Sequence, residues 1–115
     1  MFGAPEIFKV YIAIGATDMR KSINGLSLLV QDQFELDLFS GNLFAFCNRK
    51  RDIVKVLYWG KSGFCVWMKR LETDHFRWPD SKEEVLEVSP IALGWLLHGL
   101  DLNHAHRQLH YGSAG

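Results

Sequence analysis

Apolar and polar positions change rhythm several times along the chain, and each change marks an element. FKVYIAI (8–14) alternates and is rich in β-branched and aromatic residues, the pattern of a strand. Gly15 breaks it, and Thr17 or Asp18 then stands where a helix cap is wanted. Met19, Ile23, Leu26, Val30 and Phe34 follow at spacings of four, three, four and four, which makes one apolar stripe at helical period. The pattern predicts a helix over 18–34, with Gly25 as a weak point that permits close packing. Residues 35–42, closing in SGN, read as a loop.

Three strand-like runs follow: LFAFCN (43–48), DIVKVLYW (52–59) and FCVWMKRL (64–71). NRKRD and GKSG join them as turns, so an antiparallel meander is expected. Setting Trp59 opposite Phe64 and Cys47 opposite Val54 fixes a register. One face then gathers Phe44, Phe46, Leu57, Trp59, Phe64, Val66 and Met68, and this bulkier face should meet the helix. The other gathers Leu43, Ala45, Cys47, Val54, Val56, Tyr58, Cys65, Trp67 and Lys69. It is apolar too, so another element or a partner should cover part of it. The two cysteines flank the central strand with an offset of about four residues, at about 3.3 Å each. That is too far for a disulfide, and both read as reduced core residues.

HFRWP (75–79) fits a short strand stopped by Pro79, DSKEE a charged loop, and VLEV (85–88) another strand. In SPIALGWLLHGLD the boundary signals are clear: Ser89 caps, Pro90 takes the first helical position, and Gly99 follows the last turn. This predicts a helix over 90–98. Ile91, Trp95 and His98 share one face of it, as do Ala92 and Leu96. The tail NHAHRQLHYGSAG has no apolar period and reads as loose. The fold class is therefore α+β: an antiparallel β meander packed with a helix near 18–34 and a helix near 90–98. One domain spans 1–102, and 103–115 is a tail.

Composition narrows the function classes. The 115 residues are 48% hydrophobic, enough for one core. Thirteen basic residues balance thirteen acidic ones, so no global positive field draws the chain to nucleic acid or an anionic membrane. Any such binding must use a local patch. No apolar run reaches the roughly 20 residues of a membrane span. The N-terminus lacks the marks of a signal peptide, and the expected location is cytoplasmic.

Four stretches carry candidate chemistry. Arg20 and Lys21 fall in the first turn of the expected helix, where cations are disfavoured. With free N–H groups nearby they suit an oxyanion such as phosphate. The plainer reading is that they point to water, or that one pairs with Asp18. In NRKRD, Arg49, Lys50 and Arg51 stand at a hairpin tip, which reaches a phosphate backbone or serves as a solubilising turn. Lys61, Lys69 and Arg70 lie among the aromatics of YWGKSGFCVWMKRL; stacking of unpaired bases is one reading, core packing the favoured one. His104, His106 and His110 have no fixed zinc spacing. There is no P-loop, HExxH or nucleophile elbow. Nothing in the spacing of Asp18, Asp37, Asp52, Asp74 and Asp101 marks a metal site, and the case for an enzyme is weak. No cofactor is implied.

GATDMRKSINGLSLLVQDQF, FAFCNRKRDIVKVLYW, GFCVWMKRLE and FRWP occur here in one order. In this the chain resembles the TnpB family, accessory proteins from the second reading frame of bacterial insertion sequence sixty-six elements. The resemblance runs from about Val10 to Leu102. Gly60 stands where the family often has an acidic residue, and Asn24 where Asp is usual. It implies a role in DNA transposition, in elements encoding three proteins, with strand transfer performed by a larger DDE-type transposase. It carries over no catalytic set. It does place Arg20, Lys21, Arg49, Lys50, Arg51, Lys69 and Arg70 within family motifs.

The expectation is a non-catalytic accessory factor that contacts DNA phosphates at an element end or target through these seven residues. The alternative is a module that binds the transposase or the other accessory protein without touching DNA, or that forms a homo-oligomer through the second sheet face. Whether the two basic patches adjoin is not legible in the sequence.

Overall fold

The computed structural model describes residues 8–98. Five strands form one sheet: β1 (Val10–Ala16), β2 (Leu43–Cys47), β3 (Ile53–Trp59), β4 (Phe64–Arg70) and β5 (Val85–Val88), in the order β4-β3-β2-β1-β5. With α1 (Ile23–Leu28) and α2 (Pro90–Leu97) they make an α+β fold. The meander of β2, β3 and β4 is antiparallel in the expected register, with Cys47 opposite Val54 and Trp59 opposite Phe64. The sheet as a whole is mixed, because β1 pairs with β2 in parallel. β5 closes the far edge antiparallel to β1. HFRWP is not a strand. It has no regular secondary structure and joins no ladder, though Phe76 and Trp78 are buried.

Each face of the sheet has its own core. On one face Leu26 and Val30 pack on Ala13, Phe44, Phe46 and Leu57, with Ile23 and Phe34 beside them. The bulky face thus meets the first helix. On the other face Leu93, Leu96 and Leu97 of α2 join Phe76 and Trp78 over Val10, Ile12, Ala45, Cys47, Val54 and Val56. Much of the second apolar face is therefore covered within the chain, while Tyr58, Cys65 and Trp67 on it stay half-buried. The Trp78 indole donates to the Ala13 carbonyl at 2.8 Å and ties this cover to a central strand. Cys47 is buried, Cys65 partly so, and both are free thiols.

The first helix is shorter than expected. It begins at Ile23, with Ser22 as N-cap and no capping side-chain bond. Asp18 accepts from the Arg20 amide at 2.9 Å, and the Asp18 carbonyl accepts from Lys21 N–H at 3.1 Å. These local bonds close a turn that competes with helix. After Leu28 the chain widens into a π-helix, Leu29–Gln33, with Phe34 N–H donating to the Leu29 carbonyl at 3.0 Å. Steps of four residues overshoot the 3.6 of an α-helix, and the wide turn keeps Leu26, Val30 and Phe34 on one face. Glu35 ends the element at φ 54°, in the left-handed region.

At α2 the sequence signals hold. Ser89 Oγ accepts from the Ala92 amide at 3.0 Å, and Pro90 opens the helix. The buried face is Leu93, Leu96 and Leu97, and Ile91 and His98 turn outward. Gly99 and the His104/His106/His110 tail lie outside the described residues. Among the described residues no helix is long and apolar enough to cross a membrane.

Two substitutions test this packing. Glu35→Gly should raise stability by about 1 kcal/mol, by relieving a left-handed side chain. Trp78→Phe should cost about 1–3 kcal/mol, by leaving a buried carbonyl unpaired. Denaturant melts of the two variants check both signs.

Candidate nucleic-acid interface

Parallel pairing decides where the basic residues go. β1 and β2 end on the same side of the sheet, so the turns that follow them, 17–21 and 48–51, stand together. Thr17 N–H donates to the Cys47 carbonyl at 2.8 Å and joins the two exits. Between them opens a cleft of about 710 Å³ lined by Thr17, Asp18, Arg20, Asn48, Arg49 and Lys50, with Asp52 and Ile53 behind. Two stretches far apart in sequence thus form one surface. β4 runs parallel to β2, so Lys69 and Arg70, opposite Val54 and Ile53, also lie at this end of the sheet.

The seven candidate cations differ in what they are free to do. Arg49 and Lys50 are exposed at the hairpin tip, and no described residue pairs with their side chains. Arg20 lines the cleft but is paired: its Nη2 meets Asp18 Oδ2 at 2.8 Å. That bond, with the Arg20 amide, holds the Asp18 carboxyl at about 2 against an ordinary 3.8. Lys21 is exposed across the turn, on an adjoining cleft of about 410 Å³ that also holds Glu84. It precedes α1 and so lies outside the helix's first turn. Its stem packs where a Cβ on Gly25 would come within 3.1 Å, which gives that glycine its use.

The other three cations each have a partner within the chain. Arg51 takes φ 62°, and its guanidinium turns inward, with Nη2 at 3.4 Å from the Ile14 carbonyl. Its own carbonyl accepts from Phe76 N–H at 2.7 Å, anchoring the FRWP segment. Burial raises the Cys47 thiol, and the bond from Arg51 only partly opposes this. Lys69 Nζ donates to the Leu97 carbonyl at 2.8 Å, at the α2 C-terminus where a cation is favoured. Arg70 pairs with Glu72 at 2.9 Å on the surface.

The basic turn is rigid. Asn48 Oδ1 accepts from the amides of Asp52 and Ile53 at 3.0 and 3.1 Å, and its Nδ2 donates to Asp52 Oδ1 at 2.6 Å. Arg51 N–H closes the turn on the Asn48 carbonyl. The opposing turn is held by a residue that sequence reasoning missed. Lys55 Nζ, reaching up from β3, donates to the carbonyls of Met19 and Lys21 at 2.7 and 3.1 Å. The one available signal was a lysine placed by register on the helix-facing side of the meander.

Lys69 and Arg70 of the aromatic and basic stretch lie at this end, but Trp59 and Phe64 do not. Trp59, Phe64 and Phe39 cluster with ring centroids 4.9–5.5 Å apart, at the opposite end of the sheet. That is about 20 Å along β3 from the basic turn. Of the aspartates, Asp18 and Asp52 share the cleft, and Asp37 and Asp74 do not line it. Among the described residues no three His, Cys, Asp or Glu side chains are placed to hold a metal ion. Asp101 lies outside them.

The profile of the family described as "IS66 Orf2 like protein" matches residues 8–107. The chain belongs to that family. The match passes the Leu102 boundary set by the sequence motifs. Membership ties the chain to the second reading frame of an insertion sequence, in an accessory role. Two relatives from Sinorhizobium fredii (strain NBRC 101917 / NGR234) are described as uncharacterized. Protein y4hO is 38% identical over 90% of this chain and 90% of its own length. Protein y4jC is 31% identical over 94% of this chain and 92% of its own. No solved structure matches.

The ion pair and the lysine tether give two checks. The Asp18 carboxyl should titrate near 2 by NMR and return toward 3.8 in Arg20→Ala. The folded value lies below the ordinary one. The pair's contribution is therefore complete above pH 3.8 and is lost as pH falls through about 2. Lys55→Met should cost about 1–2 kcal/mol and speed amide exchange at residues 18–21.

Proposed function

We propose that this chain is a non-catalytic accessory factor that grips the DNA backbone of its insertion sequence in the cleft between the two turns. Arg49 and Lys50 supply the charge, Arg20 completes the wall, and Lys21 extends the basic rim. The observation that carries this reading is the convergence of two basic turns on one cleft, with unpaired cations on a preorganised hairpin. Phosphate contacts of this kind position a protein on DNA and read no sequence by themselves. Fixing the turn beforehand lowers the ordering cost of binding. The transposase and the other accessory protein are the expected companions on that DNA.

The reading as a protein-interaction module drew on an apolar second sheet face. α2 and Trp78 cover much of that face, and what remains open there is the half-buried strip of Tyr58, Cys65 and Trp67.

Fluorescence anisotropy with labelled element-end duplex tests the proposal. Binding should weaken with salt, and the slope of log K against log salt should shrink by about two in Arg49→Ala/Lys50→Ala. A Lys61→Ala variant, in the turn after β3 at the far end of the sheet, should leave it unchanged. Equal loss in both variants, or no binding at low salt by folded protein, would sink the phosphate cleft.

A further inference from the structure

We propose that two copies of this chain pair edge to edge through β4, extending the sheet antiparallel across a two-fold axis at Trp67. Among the described residues β4 is an outer strand of the sheet, and β3 is its only neighbour in it. Its hydrogen-bond phase follows from the ladder's ends. Leu71 N–H donates to the Asp52 carbonyl at 2.8 Å, and Gly60 N–H to the Gly63 carbonyl at 2.7 Å. Bonded positions alternate in an antiparallel ladder, so Cys65, Trp67 and Lys69 bond β3. Phe64, Val66, Met68 and Arg70 then aim their N–H and C=O groups away from the sheet. No other described segment takes up these groups.

Natural sheets blunt such edges with charge, proline or short length. β5, at the other edge, has four residues. β4 has seven; Lys69 is engaged with the Leu97 carbonyl, and Arg70, in an exposed pair with Glu72, stands only at the strand's end. Met68, at its middle, is 57% exposed.

The strand complements itself when reversed. Centring the axis on Trp67 puts Val66 opposite the second copy's Met68, and Phe64 opposite its Arg70. All four outward-facing residues then fall in bonded pairs, which no other centre achieves. Each cationic end meets an aromatic end, where Phe39 and Trp59 flank Phe64 and receive a guanidinium over their rings. Lys69 falls opposite Cys65, so no like charges meet. This match of basic end to aromatic end selects a second copy as the occupant.

Met68→Pro tests the pairing selectively. Its amide faces outward and serves no bond to β3, and an edge strand tolerates proline there. Sedimentation equilibrium should give twice the chain mass for the native protein and the single mass for Met68→Pro, with unchanged circular dichroism. If the proline variant fails to fold, Met68→Lys, which sets a cation against Val66, should give the single mass. A native chain that sediments as a monomer at high micromolar concentration overturns the proposal. So does a dimer that survives a folded Met68 variant.

Discussion

Parallel pairing of β1 with β2 is the constraint on which the rest depends. Two antiparallel neighbours would send their exits to opposite ends of the sheet. Here the chain leaves β1, crosses the sheet through α1 and its π-helical extension, and re-enters in the same direction. Both exits then lie at one end, and so do both basic turns. Clefts beyond the carboxyl ends of parallel strands are a recurring place for ligands. The Thr17–Cys47 hydrogen bond fixes the spacing of the two turns at the point where the strands part.

Around that constraint, charge is divided between building and display. Arg51, Lys55 and Lys69 each spend their donors on backbone carbonyls, at Ile14, Met19 with Lys21, and Leu97. Those bonds tie loops and a helix end to the sheet. Charged donors to carbonyls contribute more than neutral ones, about 1.5–3 kcal/mol each. Asp18 neutralises Arg20 locally. Of the seven candidate cations, Lys21, Arg49 and Lys50 are exposed and unpaired among the described residues. A chain with zero formal net charge thus keeps a small, oriented basic surface.

Much of the meander was legible because its turns are short and its residues alternate. Two turns and a period of two allow one register that collects the aromatics. The α2 boundaries were legible because Ser89 and Pro90 each have one strong positional meaning. The partner of β1 was not, since a long connection carries no information about direction. Asp18 misled because Asp before a stripe of apolar residues serves equally as helix cap and as Asx turn. Only the bond to the Arg20 amide distinguishes them. Arg49, Lys50 and Arg51 look alike in sequence, yet the left-handed conformation of Arg51 turns one of them inward. Lys55 escaped notice because a lone strand lysine usually faces water.

The central claim is that the two turns act as one site. Amide chemical-shift mapping on the labelled protein, titrated with a short DNA duplex at low salt, tests it most directly. Amides of residues 17–21 and 48–51 should shift together and saturate with one dissociation constant. Shifts confined to one turn, or centred on the Trp59–Phe64 end of the sheet, would contradict it.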